Sequence, residues 1–262
     1  MHTNLYSLIT VIFVGGVAGY LGSLMITKKM ALVGDALGHV ALPGMGLALL
    51  WGFNVSLGAF VFLFFGVVSI WYLQTKTQLS TETLVGIIFV LSLAIGFLII
   101  PKPELLHALI GNINQVSFWD FIISVILSIS VFYIIRKIYS DMILSSMSED
   151  LAIANKINIK KQNFIYLLTI ALIVALGVKV VGSLLMGALV IIPAATSRNV
   201  SRNMRQYIFI SILFGSLSGA LGFLAFKITN LPVGPLVILV SVSMFIISLL
   251  FKNVKFLSKC HA

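Results

Sequence analysis

The chain of 262 residues is 60% hydrophobic and only 9% charged, whereas soluble domains run at about 45–50% apolar and about 25% charged, so a soluble enzyme is excluded. Its 17 Lys and Arg against 7 Asp and Glu give a net charge of +10; the bases sit between apolar runs, as in the cytoplasmic loops of a membrane protein, and no nucleic-acid partner is needed to explain them. Cys260 is the single cysteine, so no intrachain disulfide can form.

A helix needs about 20 apolar residues to cross the hydrocarbon core. Runs of helical length predict spans at 5–26, 31–51, 55–74, 83–100, 118–137, 164–180, 182–197, 206–228 and 232–251. The first reads as a retained span rather than a cleaved signal, because comparable runs recur to the C-terminus, and no appended soluble domain is expected. The predicted fold class is all-α, a single polytopic membrane domain over 1–262 with eight or nine transmembrane helices. The ambiguity lies in 164–197, where two short runs around Lys179 and Gly182 fit two spans or one long, broken or re-entrant helix. Five basic clusters follow in order: Lys28 and Lys29; Lys76; Arg136 and Lys137 with Lys156, Lys160 and Lys161; Arg198, Arg202 and Arg205; and Lys252, Lys255 and Lys259. All face the cytoplasm together if 164–197 crosses and returns, which puts Lys102, Lys179 and Lys227 outside and makes the chain a multi-pass protein of the cell membrane. The polar segment 138–163 holds Asp141, Glu149 and Asp150, with Leu151, Ala152, Ile153 and Ile157 at helical spacing. A short cytoplasmic amphipathic helix near 141–160 and a solvated connector both fit it.

Glu82, Glu104, Asp120, Asp141, Glu149 and Asp150 fall in loops or at helix ends, but Asp35 lies inside an apolar run, and His39 follows four residues later. On a helix such a pair shares one face, with Cβ atoms about 5–6 Å apart. A carboxylate in the bilayer costs about 2.5–3.5 kcal/mol or more unless it faces a cavity or a partner. A carboxylate oxygen and an imidazole nitrogen together suit zinc, manganese or iron(II). The competing reading has Asp35 hydrogen-bonded to His39, or capping a helix that begins near Ala36, with no metal. Tight structural zinc takes four protein ligands, so two argue for passage or for completion by a second copy. Pro43 and Gly44 follow directly, and proline predicts a kink or break beside the pair, at the depth where transporters bind substrate; an ordinary proline kink is the plainer account. Pro193 with the small polar residues up to Arg198 reads as a helix exit at the cytoplasm. Residues 182–188 are small enough for close helix packing, and Met45 and Met186 serve as gap fillers or as soft sulfur donors. The sequence contains no phosphate loop, H-E-x-x-H, C-x-x-C or G-x-S-x-G, so catalysis and a resident cofactor are not expected in this chain.

With those residues in view, the chain resembles the permease subunits of the ABC type-3 family, importers of zinc, manganese and iron with a type II ABC-importer-like fold. Lys29-Met30-Ala31-Leu32-Val33-Gly34-Asp35-Ala36-Leu37-Gly38-His39 through Leu42-Pro43-Gly44 is similar to the signature R-M-x-L-x-G-D-A-x-S-H-x-x-L-P-G. Thr81 to Phe89 resembles D-x-x-I-G-I-x-F, Leu109 to Ile113 resembles L-x-G-x-I, and Val180 to Thr196 resembles G-x-L-L-x-x-A-L-x-I-x-P-A-A-x-A-R. Lys29, Gly38 and Glu82 stand where arginine, serine and aspartate are usual. Lys156 occupies the glycine of D-x-E-x-A-x-x-x-G-I, in the cytoplasmic helix that such permeases press against their ATPase.

The resemblance implies that Asp35 and His39 line the pathway as transient metal ligands and gate, with the helix break at Pro43 and Gly44. It implies that Glu149, Asp150, Ala152, Ala154 and Ile157 belong to the ATPase-coupling segment. Its further implications are a homodimer embedded in membrane lipid, two ATPase subunits that hydrolyse ATP on the cytoplasmic side, and an extracytoplasmic metal-binding protein. The alternatives from the residues themselves are an ion-coupled secondary metal carrier using the pair as a proton relay, a non-transporting scaffold, and an ABC permease for a metal chelate such as a siderophore.

Overall fold

The computed structural model describes residues 2–100, 109–110, 118–183 and 185–260. Lys102, Glu104, His107, Gly111, Asn112, Ile113, Leu184 and His261 lie outside the described residues, as do the side chains of His2, Lys179, Lys252, Lys255, Lys259 and Cys260.

The elements are α1 (His2–Thr27), α2 (Ala31–Val40), α3 (Leu42–Trp51), α4 (Val55–Lys76), α5 (Thr81–Ile99), α6 (Phe118–Met147), α7 (Glu149–Ala154), α8 (Ile159–Val181), α9 (Met186–Val200), α10 (Met204–Thr229) and α11 (Val233–Cys260). Short polar residues set where several of them begin. The side chain of Asn54 accepts from Ser56 N–H at 2.9 Å to open α4, Ser80 accepts from Thr83 N–H at 3.2 Å to open α5, and Asn203 accepts from Gln206 N–H at 2.8 Å to open α10.

Among the described residues 8 stretches are long and apolar enough to cross a membrane, with α2 and α3 counting as one, Ala31–Trp51. They correspond to the predicted spans except 182–197. There α9 has 15 residues and is about 22 Å long at about 1.5 Å per residue, short of the roughly 30 Å hydrocarbon core. Its neighbours decide its path. α8 begins at the basic end, where Lys28 Nζ donates to Asn163 Oδ1 at 3.0 Å. α10 begins there too, with Met204 beside Thr27 and Lys29. The chain must therefore return between them, and α9 makes that ninth passage.

The turn that starts α9 lies within the protein. Gly182 has φ 92 and ψ 159, a region open to glycine alone, and a Cβ there would strike the backbone of Leu109 and Ile110. Of the options for 164–197, the pair of helices that crosses and returns is the one found. A second difference concerns α6, predicted to end at 137 but continuing to Met147. Ile135, Ile138, Met142 and Ser145 are buried at helical spacing and carry one face of α6 onward against α1 and α8. The segment near 141–160 is consequently divided among the end of α6, the six-residue α7 and the start of α8.

α1 sits at the centre, packed against α10, α9 and α6. In lipid no hydrophobic drive joins helices, so small residues supply contact by letting backbones approach. A Cβ on Gly15 would lie 2.5 Å from the Gly215 carbonyl oxygen, and Gly19 packs on Ser211 in the same way. Against this centre α2 lies between α5, α9 and α8, and α3 packs on α4 and α5.

Candidate metal pathway site

Val33, Gly34, Leu37, Gly38 and Val40 form the buried face of α2. Leu32, Asp35, Ala36 and His39, at i, i+3, i+4 and i+7, form the other stripe. Leu32 is 75% exposed, Asp35 and Ala36 are half-buried, and His39 is 8% exposed. The stripe thus slopes from open surface into packed protein, with both candidate ligands on it.

Two contacts hold the pair in place. Gly187 of α9 lies directly on Asp35, since a Cβ at Gly187 would sit 2.5 Å from Asp35 Cβ and Oδ1. The α9 backbone is therefore the wall behind the carboxylate. The His39 ring packs on Phe89 of α5, with centroids 5.3 Å apart at 53°. Its Nδ1 is buried with no hydrogen-bond partner, and the Asp35 carboxylate makes no hydrogen bond among the described residues. A buried polar nitrogen left unpaired is costly. The reading in which the two side chains merely satisfy each other is not what the structure shows. Nor does Asp35 cap a helix, because α2 begins at Ala31 and places Asp35 in its second turn.

What remains is an imidazole and a carboxylate, one turn apart and free to accept a cation. Among the described residues no group of three or more His, Cys, Asp or Glu side chains is gathered, so one copy offers an incomplete coordination shell.

Beside the pair, α2 and α3 are separated by Ala41 alone, whose φ −69 and ψ −23 remain helical. Pro43 has no N–H to give the His39 carbonyl, which takes the Ala41 N–H instead. The interruption is one residue and the span continues through it. Gly44 packs on Gly58 of α4, each occupying the space a Cβ on the other would need. Met45 and Met186 are fully buried, and Met186 fills the space over Gly177, so packing accounts for both. Phe89 and Gly187 escaped the sequence reading as site residues, although Phe89 ends the Thr81–Phe89 stretch and Gly187 falls in the small-residue run after Gly182.

At the basic end, the Ser148 side chain accepts from Leu151 N–H at 3.3 Å and starts α7, with Glu149 and Asp150 in its first turn. Ala152 is buried and Ile157 half-buried, while Ala154 is exposed, as are Leu151 and Ile153 at 55% and 63%. Lys156 closes α7 with φ 58, a left-handed conformation that suits glycine, the residue usual there in the resembled family. Nearby, Lys28 Nζ also approaches Met142 Sδ at 3.7 Å and sits 5.8 Å from the Tyr166 ring centroid. Burial pushes Lys28 down to about 8, with Glu149 opposing the shift.

The described residues form an all-helical bundle with 8 stretches fit to cross a membrane, the architecture of a multi-pass membrane protein. The chain belongs to the ABC 3 transport family, which it matches over residues 2–252. It is similar to the manganese transport system membrane protein MntC of Listeria monocytogenes, at 30% identity over 249 residues, covering 94% of this chain and 89% of that one. It is also similar to the high-affinity zinc uptake system membrane protein ZnuB of Buchnera aphidicola, at 32% identity over 243 residues, covering 90% and 93%. Among solved structures it is similar to PsaBC from Streptococcus pneumoniae in complex with Fab, with a TM-score of 0.82 and 30% identity, covering 95% of this chain and 91% of that one. An inward-facing metal-chelate type ABC transporter shares the fold alone, at 17% identity and a TM-score of 0.75. A secondary carrier does not fit a member of this family.

Proposed function

We propose that this chain is the permease of an importer for a bare divalent transition metal, manganese or zinc, with iron(II) inside the same ligand chemistry, and that Asp35 and His39 are its transient ligands and gate. The observation that carries this reading is the unpartnered Nδ1 of His39, one helical turn from a half-buried carboxylate that makes no hydrogen bond among the described residues, on the open stripe of α2. A bare ion needs such direct ligands, whereas a chelate arrives with its coordination filled. Two ligands bind weakly enough for the ion to leave. The names of the relatives, which cite manganese and zinc, support the same cargo.

The working unit is a homodimer, as membership of this family implies, each copy offering its own Asp35 and His39. Energy comes from two ATPase subunits, because this sequence has no phosphate loop. Their docking element is α7 with the turn after it, where Glu149, Asp150, Ala152 and Ala154 of the helix and Ile157 beyond it flank the exposed Leu151 and Ile153 at the basic end. An extracytoplasmic metal-binding protein delivers the ion, and the interruption at Pro43 and Gly44 lets the helix adjust beside the ligands.

The test is transport by the purified permease and ATPase in proteoliposomes. The proposal expects manganese or zinc to move only with ATP, and His39→Ala to stop it while the complex stays assembled. Uptake driven by an ion gradient without ATP, or a His39→Ala complex as active as the wild type, would overturn it.

A further inference from the structure

Away from the Asp35 stripe, the C-terminal ends of α1 and α9 and the N-terminal end of α10 enclose a cavity of about 460 Å³ at the basic end. Lys29, Arg198 and Arg202 line it. Among the described residues no acidic side chain lines it, and none pairs with these three cations. The three are exposed, so water screens their repulsion, and an anion seated among them would turn it into attraction.

Two further features border the same space. Tyr207 lines the cavity at 6% exposure, and its hydroxyl is buried without a hydrogen-bond partner. Lys29 has φ 60, and Met30 N–H closes the end of α1 on the Met25 carbonyl at 2.9 Å, a turn in which glycine is usual. A lysine holds this left-handed turn at the rim of the cavity, where arginine is usual in the resembled family.

We propose that this cavity is a phosphate site whose ligand is the headgroup of an anionic lipid in the cytoplasmic leaflet. Arginine forks match phosphate oxygens, and basic pockets between helices at this membrane level suit lipid headgroups. The position favours a lipid over a carboxylate of a protein partner. Beyond the cavity α10 continues with exposed Phe209, Leu213 and Leu217, an apolar track along which acyl chains lie when the phosphate is seated. Inorganic phosphate shares the headgroup's chemistry and is the other source. No residue of this cavity belongs to the metal stripe, so the site stands whatever the cargo.

The experiment uses the permease with its ATPase in discs of phosphatidylcholine with phosphatidylglycerol, counting retained lipids by native mass spectrometry. The wild type should retain phosphatidylglycerol selectively. Arg198→Gln with Arg202→Gln should lower that retention about tenfold, because two charged donors are lost. Arg205→Gln, outside the cavity, should match the wild type. In lipid-free detergent, inorganic phosphate that stabilises the wild type but not the double variant, with no lipid retained, assigns free phosphate as the source and keeps the site. The proposal is overturned if neither probe separates the double variant from the wild type. It is also overturned if Arg205→Gln loses as much, or if the double variant keeps its lipid and sheds the ATPase.

Discussion

Replacing Gly187 with alanine should damage transport far more than stability. The new Cβ would lie 2.5 Å from Asp35 Cβ, whereas carbon atoms settle about 3.5–4.0 Å apart, so α2 and α9 must separate by about 1 Å at the carboxylate. α9 has little room to give, because on its other side Val190 packs its backbone against Gly22 of α1. Overpacking of this size costs about 1–3 kcal/mol, a fall of roughly 2–10 °C in melting temperature for a chain of this length. Metal ligands, in contrast, tolerate displacement of only about 0.2 Å, and a 1 Å misplacement of a reacting group costs up to about a hundredfold. Manganese or zinc uptake by cells lacking their own importer should therefore drop at least about tenfold at equal membrane abundance. Uptake within about twofold of the wild type would refute the placement of α9 behind Asp35.

The other predictions concern the basic end. Lys28 sits near about 8 rather than 10.5, so between those pH values the unfolded chain holds more protons than the folded one, and stability should rise with pH across that window. Thermal melts should show the rise, and Lys28→Met should flatten it; a fall with pH contradicts the burial of Lys28. Lys156→Gly relieves the left-handed lysine and should stabilise the chain by about 0.5–1 kcal/mol, read as a melting temperature raised by a few degrees. A lower melting temperature would mean the lysine side chain contributes more than its backbone costs. Leu151→Asp with Ile153→Asp should reduce co-purification of the ATPase about tenfold or more without changing the melt of the permease alone, and unchanged co-purification would remove α7 as the docking element.

The spans were legible because a crossing helix must be long and apolar, a property of composition that neighbouring residues cannot disguise. Asp35 and His39 stand out for the converse reason, since an acid and a histidine inside such a run have few structural excuses, and their role in transport is the proposal. The ends and breaks were harder to read. α6 runs ten residues past its predicted end because Ile138, Met142 and Ser145 find partners on other helices, and tertiary contact of that kind leaves no local mark. That 164–197 crosses and returns is one of two readings of the sequence, and the starts of α8 and α10 at the same basic end decide it. Gly187 looked like one small residue among several; only packing shows that its missing side chain makes room for Asp35. Lys156 was visible as a departure from a family glycine, and its left-handed backbone supplies the reason that glycine is usual. Tyr207 gave no signal at all, because an unpaired hydroxyl is a fact of three-dimensional surroundings.

The central claim, that a passing dication touches Asp35 and His39, is tested most directly by metal content in a strain deleted for its own importer. Cells given the wild type should recover manganese or zinc and grow under chelation, while Asp35→Asn, nearly isosteric but uncharged, should leave both at the level of the empty strain with the permease present in the membrane. Full recovery of metal and growth by Asp35→Asn would contradict the account.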